Sequence, residues 1–268
     1  MGIIKAVIFD IIGVTHPLSD LDLFRRDFLE NGERYIAEVV EKGKSNVISL
    51  GVLEQIRRKL LTHDNSKLVA KLTQEVDNKN LDPDFMSLMG GVNAEGLQKG
   101  RYVTHVFSDV QDALLKLKRH FMIENPCINY SNKMGESNML NSAGNGIYTF
   151  SNGSRQLQSE MFRNSVLLDG EKDDERLNLH RFFDGYFSTN GGFDNQGVAL
   201  KDNHRSFLRV AKYLGFRPEE FFFFSDSQKE LEAAHKAGLY VSYVNRSGNK
   251  KVTGNFKVIN SLDSLKLH

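Results

Sequence analysis

The chain opens on a nearly unbroken apolar run, Ile3 to Phe9, interrupted by Lys5 alone and closed by Asp10. Such a run fits a strand buried on both faces of a parallel sheet. Gly13 and Pro17 then punctuate a loop. Beyond it Leu21, Phe24, Phe28, Tyr35, Ile36, Val39 and Val40 recur at helical spacing, with Asp20 placed as the N-cap. Residues 50–61 and 66–76 read as two more amphipathic helices, and 82–98 as a helix broken by Gly90 and Gly91. The block from about 20 to 105 is therefore predicted to be helical, with no strand of its own. Asp109 to His120 adds a helix with Val110, Ala113, Leu114 and Leu117 on one face.

Residues 121–145 are rich in Asn, Ser and Gly and show no period, which predicts a long, flexible surface insertion. Strand-like runs then return at Ile147–Phe150, Phe182–Phe187, Phe221–Phe224, Leu239–Val244 and Phe256–Ile259. Helical stretches at Arg155–Phe162, Asn203–Leu214 and Gln228–Ala237 separate several of them. Strand–helix alternation implies parallel βαβ units. The predicted class is α/β, a doubly wound parallel sheet with a helical cap inserted after its first strand. The core would comprise 1–19 and 106–268, the cap 20–105, and the insertion 121–145 would lie within the core. No internal repeat is visible.

Composition narrows the partners. Thirty-five Lys and Arg stand against 34 Asp and Glu, for a net charge of +1. No one-signed excess points to nucleic acid or a membrane surface. The single cysteine, Cys127, excludes an intramolecular disulfide and fits a reducing compartment. The apolar N-terminal run is too short for a signal peptide or a membrane span. A soluble, cytoplasmic chain, a monomer or weak dimer, is the expectation. The eight histidines show no metal-like spacing.

Open α/β sheets bind ligands at the carboxyl ends of their strands. Three such ends carry polar groups: Asp10, the turn Ser151-Asn152-Gly153-Ser154, and Ser225-Asp226, with Lys201 between the last two in sequence. Two carboxylates suit Mg²⁺, which takes one or two acids plus phosphate and water. One carboxylate can double as a nucleophile on phosphorus. Serine hydroxyls, turn N–H groups and a lysine ammonium can neutralise phosphoryl oxygens. Plainer uses compete. Asp226 could cap the following helix, Ser151 and Ser154 could be turn and cap residues, and Lys201 could be a surface lysine.

These segments resemble the haloacid dehalogenase (HAD) superfamily of phosphatases, and within it the enolase-phosphatases (acireductone synthases) of methionine salvage. The resemblance rests on Asp10-Ile11-Ile12-Gly13-Val14-Thr15, on His105-Val106-Phe107-Ser108-Asp109, and on Tyr148-Thr149-Phe150-Ser151-Asn152-Gly153-Ser154 with Gln158. It continues through Lys201 with Ser206-Phe207, then Phe224-Ser225-Asp226, Glu230-Leu231 and Arg246-Ser247-Gly248-Asn249. It implies that Asp10 is the nucleophile and a Mg²⁺ ligand, joined by the Ile12 backbone carbonyl and Asp226. Ser151, Asn152 and Gly153 would bind phosphate, and Lys201 would orient phosphate and Asp10. Glu230 would stand behind these groups. The substrate implied is a small phosphorylated metabolite.

The chain departs from that pattern at Ile12. The family carries Asp there, or Glu in the enolase-phosphatases, to protonate the leaving oxygen and then activate water. An isoleucine does neither, and such a group contributes about 10²–10⁴-fold. His16 is the nearest substitute. Ser188 also replaces an acid, the segment from Asn190 to Leu200 is lengthened, and the cap keeps only a faint Met89-Gly90-Gly91 motif. The expectation is a slow Mg²⁺-dependent phosphatase. The alternatives are an impaired phosphate- and metal-binding or regulatory protein and a dehalogenase-like hydrolase.

Overall fold

A computed structural model describes residues 3–42, 50–77, 83–124, 145–169, 176–189, 200–249, 251–254 and 256–265. Cys127, most of the 121–145 insertion and the 190–199 stretch lie outside the described residues. No helix among them is long and apolar enough to cross a membrane.

Six strands form one parallel sheet: β1 (Ala6–Phe9), β3 (Gly146–Ser151), β5 (Gly185–Ser188), β6 (Phe221–Ser225), β7 (Tyr240–Val244) and β8 (Lys257–Ile259). Their order is β5-β3-β1-β6-β7-β8. All five pairings are parallel. The chain builds outward from β1 through β3 to β5, then returns to β1's other side for β6, β7 and β8. That reversal leaves a crevice at the carboxyl ends of β1 and β6, where such sheets bind ligands. Register fixes what meets there, because Phe9 lies opposite Phe224 and Thr149.

Alternation along the strands feeds a core on each face. Val7, Phe9, Ile147, Phe222 and Phe224 enter one core with α5 (Asp109–Glu124) and α6 (Arg155–Arg163). Ala6, Ile8, Tyr148, Phe150, Phe221 and Phe223 enter the other with α7 (His204–Leu214) and α8 (Gln228–Lys236). The four phenylalanines of β6 thus divide evenly between two buried faces, as a central strand requires.

Between β1 and α5 lie four helices: α1 (Asp20–Lys42), α2 (Leu50–Leu60), α3 (Asn65–Asp77) and α4 (Pro83–Gln98). They bury a core of their own, including Phe28, Ile36, Leu53, Ile56, Leu68, Leu72, Leu88 and Val92. The helix predicted over 82–98 runs unbroken through Gly90 and Gly91. Gly90 has a packing reason to lack a side chain: a Cβ there would come within 3.1 Å of Ser154 Oγ. The helix therefore lies against the turn at the end of β3.

Two expectations need correction. The helical block does contain sheet at its end: β2 (Thr104–Val106) pairs in parallel with β4 (Ser165–Leu167). Asp20 is not an N-cap accepting from its own helix. Its carboxylate accepts from the backbone N–H of His105 and lies 2.9 Å from His105 Nδ1. A buried acid with a partner across the fold outcompetes the local cap, because an unpaired buried carboxylate is far costlier than an open helix end.

Candidate active site

The nucleophile expected from sequence sits at the crevice. Asp10 follows β1 directly, and its backbone N–H donates to the Phe224 carbonyl at 2.8 Å, which carries the ladder one residue past the strand. The residue is almost enclosed, at 8% exposure. Oδ1 accepts from the Ile11 N–H at 2.8 Å and from Lys201 Nζ at 2.5 Å. Oδ2 lies 3.2 Å from the Ser225 hydroxyl. One oxygen is thus committed to the lysine and the other shares a single hydroxyl proton, so the carboxylate is held in one orientation.

Lys201 is no surface lysine. It is 3% exposed and bridges Asp10 to Glu230 Oε2 at 2.9 Å. Burial alone would lower its pKa, but the carboxylates of Asp10 and Glu230 outweigh that and raise it, so the ammonium stays charged. Glu230, on the first turn of α8, is shifted upward as well, which for an acid favours the neutral form. Burial raises its pKa, and the neighbouring Asp10 charge adds to that. Ser225 Oγ lies 2.9 Å from Glu230 Oε2, within reach of both acids, and accepts from the Ser227 N–H at 3.1 Å. Two acids, one cation and one hydroxyl therefore form a closed set at the β1–β6 junction. Ser225 belongs to this set, although sequence reading had given it no role.

Asp226 is brought to the same loop by Gly13. That glycine has φ +84°, and a Cβ on it would sit 2.5 Å from the Asp226 carboxylate. Only glycine combines that backbone with that close approach. The carboxylate therefore rests on the loop that begins at Asp10 and carries the Ile12 carbonyl. Two carboxylates and a carbonyl are hard oxygen donors of the kind Mg²⁺ takes, with phosphate and water completing its shell. Among the described residues no group of three or more His, Cys, Asp or Glu converges in a metal-like cluster. The donor set fits a hard divalent ion that keeps open positions and does not fit a closed His/Cys site.

The turn after β3 is braced from below. Ser151 Oγ accepts from the Gly153 N–H at 3.1 Å, and Ser154 Oγ caps α6 by accepting from the Leu157 N–H at 3.1 Å. The plainer turn and cap readings of these serines are thus correct as local structure. Buried Gln158 accepts from Thr149 Oγ1 and donates to the carbonyls of Gly153 and Phe187. One side chain so ties the turn to β3 and β5. Asn152 Oδ1 accepts from Thr189 Oγ1 at 3.2 Å.

His16 cannot stand in for the missing acid at Ile12. It is fully buried, with Nδ1 3.0 Å from the Thr15 hydroxyl and Nε2 3.2 Å from the Ser165 hydroxyl. Burial, with nearby His105 adding to it, pushes its pKa down to about 3. It is a neutral tie between the post-Asp10 loop and β4. The Ile12 side chain is half-buried and packs against the core beneath the sheet.

The comparisons agree with this architecture. No protein-family model matches the chain. It is 27% identical over 270 residues to an enolase-phosphatase E1 of Sulfurihydrogenibium sp., covering 98% of both chains. It is 25% identical over 267 residues to that of Shewanella woodyi, covering 99% of each. Among solved structures, it superposes on the UTR4 protein of Saccharomyces cerevisiae with a TM-score of 0.64 at 21% identity, covering 98% of this chain and 100% of that one. It superposes on a HAD phosphatase from Thermococcus onnurineus with a TM-score of 0.52 at 16% identity, covering 97% and 95%. At those identities the structures speak for the fold.

A parallel sheet carrying an aspartate at the end of its first strand, with these relatives, makes the chain a divergent member of the haloacid dehalogenase superfamily. Curated relatives that match it are enolase-phosphatases E1, at 23–27% identity over nearly the full chain and at 29–30% over 72–75% of it.

Proposed function

We propose that this chain is a Mg²⁺-dependent phosphatase of small phosphorylated metabolites, slowed by the loss of an acid at position 12. The observation that carries the reading is the buried contact between Lys201 Nζ and Asp10 Oδ1. Residues 191 positions apart in sequence enclose an ion pair at the ligand-binding end of the sheet. Burying two charges costs several kcal/mol each, and a hydrophobic pair would do as well for stability. A chemical task accounts for keeping them.

In this reading the free lone pairs of Asp10 attack phosphorus, the P–O bond to the leaving group breaks, and an acyl phosphate forms on Asp10. Lys201 holds Asp10 in line and offers positive charge to the phosphoryl oxygens. The Ser151 hydroxyl, Asn152 and the turn N–H groups at Gly153 bind the remaining oxygens. Mg²⁺, held by Asp10, Asp226 and the Ile12 carbonyl, would supply charge neutralisation for the phosphate. Water then cleaves the acyl phosphate and restores Asp10. The helices over 20–105 act as a cap on this site, with α4 against Ser154. Esters whose leaving group departs without a proton would be the better substrates, since Ile12 gives none.

The test is phosphate release from a panel of phosphoesters with Mg²⁺ and with EDTA. Release that needs Mg²⁺ and is lost in Asp10→Asn supports the reading; release no faster than that control overturns it.

A second reading has its own observation: Ile12 packs on the core and His16, its nearest substitute in sequence, is buried, so neither can do the work of the missing acid. The pocket would then serve phosphate binding and regulation. Ile12→Glu separates the two. A gain of about 10²–10⁴-fold marks a disabled catalyst. Turnover that is already fast, and unchanged in Ile12→Glu, contradicts the regulatory reading.

A further inference from the structure

The chain crosses between sheet and helical block twice, once after β1 and once before α5. We infer that Arg246 is a positioning residue that locks both crossings to the edge of the sheet and so sets the angle of the helices over Asp10. Arg246 lies in the loop just after β7, which is itself fastened where the Asn245 N–H donates to the Ile259 carbonyl at 2.8 Å. Its guanidinium serves both crossings at once. Nε and Nη2 donate to the Val14 carbonyl, at 3.0 and 2.6 Å, on the first crossing. Nη1 donates to Asp109 Oδ2 at 2.5 Å, and the guanidinium carbon lies 4.2 Å from the centre of the Phe107 ring, both on the second.

Asp109 is worth following. Its Oδ2 also accepts from the Ser261 hydroxyl and the Leu262 N–H, so the C-terminal segment joins the same knot. Its other oxygen is buried with no hydrogen-bond partner. An acid in that position depends on the arginine, because a buried carboxylate without a partner is strongly disfavoured. Burial would raise its pKa, yet Arg246 and Ser261 hold it below the ordinary carboxylate range.

The other ties at this place do different work. Asp20 and His105 join the two crossings to each other. The Phe107 N–H, donating to the Thr15 carbonyl at 3.2 Å, does the same. Pairing of β2 with β4 holds the second crossing from the side of α6. Arg246 reaches both crossings from the side of β7, where Pro17, Leu18, Phe107 and Asp226 wall a cavity of about 110 Å³. Packing is incomplete there, so a directional polar tie has to fix the crossings. A planar fork can donate along two directions and stack on a ring together, which a lysine cannot. The loop it holds is the one that carries the Ile12 carbonyl and the Gly13 seat of Asp226.

The test compares the whole chain with Arg246→Met and Arg246→Lys. Amide hydrogen exchange is expected to quicken roughly tenfold at residues 13–18 and 102–108 in Arg246→Met, from the loss of the three hydrogen bonds that the guanidinium donates to Val14 and Asp109. The amides of β1, β3 and β6 should keep their rates. Arg246→Lys keeps the charge beside Asp109 and should restore the second crossing more than the first, and it serves as the probe if the methionine variant does not fold. Unchanged exchange at both crossings would overturn the inference, as would an equal rise throughout the sheet. A kinetic arm rests on the phosphatase reading: KM should rise more than kcat falls. If the parent chain releases no phosphate from any ester, that reading fails and exchange alone decides the role of Arg246.

Discussion

The sheet edge and the helical block both hold ion-pair networks, built in opposite ways. At the sheet edge Lys201, 3% exposed, meets Asp10 and Glu230 from distant parts of the chain. In the helical block Arg34 pairs with Glu38 four residues on and with Glu95, which also takes Lys99 four residues on and Arg101. Two of those cations stand in water, Arg34 at 42% and Lys99 at 52% side-chain exposure, and Arg101 keeps 20%. Solvent screens the second network and leaves the first at full strength. A fold needs no buried lysine between two acids; in the proposed phosphatase it would hold Asp10 in line and offer charge to the phosphoryl oxygens. The helices of the block read as packing units with a core of their own, and in the proposed phosphatase they would contribute through placement.

Breaking the buried network should give the largest effect. Lys201→Met leaves Asp10 and Glu230 facing each other without a cation. Denaturant unfolding should show a loss of about 3–5 kcal/mol, with phosphate release falling to the Asp10→Asn level. A loss below about 1 kcal/mol would erase the contrast between the two networks.

Acid should next expose the tie between Asp10's loop and β4. The folded pKa of His16 is about 3 against an ordinary 6.5, so the unfolded chain takes the proton first. Stability contributed by the neutral ring is complete above pH 6.5 and falls as pH drops toward 3, by at most about 1.4 kcal/mol per unit. Between pH 6.5 and 5 the loss should reach about 1.6 kcal/mol. His16→Gln should flatten that slope; an identical slope would show that other groups carry it.

Gly13→Ala comes third. It forces a side chain to φ +84° and against the Asp226 carboxylate. Strain of about 1–2 kcal/mol is expected, together with a weaker thermal-shift response to Mg²⁺ than the parent chain gives. An unaltered Mg²⁺ response would remove Asp226 from the metal site.

Glu95→Gln should do least. Burial works to raise the pKa of Glu95, but Arg34, Lys99 and Arg101 hold it down to about 2 from 4.5. Its contribution is present above pH 4.5 and lost as pH falls toward 2. Exposed partners limit that contribution to less than about 1 kcal/mol near neutrality, readable as a small change in thermal midpoint.

Much of the core was legible because burial on two faces writes long apolar runs. Ile3–Phe9 and Phe221–Phe224 read as buried strands, pair with each other at the middle of the sheet, and are each followed by a carboxylate within two residues. What failed was short or non-local. Thr104–Val106 and Ser165–Leu167 pair over three residues, too few for any period to appear. Asp20 carries the residue type of a cap, and its true partner lies 85 positions away. Ser225 beside Asp226 looks like turn chemistry until register sets it against Asp10. Arg246 stands in a motif that carries the resemblance, yet nothing local announces its contacts, since its partners Val14 and Asp109 are 232 and 137 positions distant. Glu230 is expected from the resemblance to stand behind the site, and in the fold it touches Lys201 and Ser225.

The central claim is that Asp10 takes the phosphoryl group. Borohydride reduction of acid-quenched enzyme during turnover of a phosphoester with Mg²⁺ converts an aspartyl phosphate to homoserine. Peptide mass spectrometry should find homoserine at position 10, reduced when EDTA is present. Phosphate release with position 10 unmodified would contradict the account, as would phosphate release that continues unchanged in Asp10→Asn.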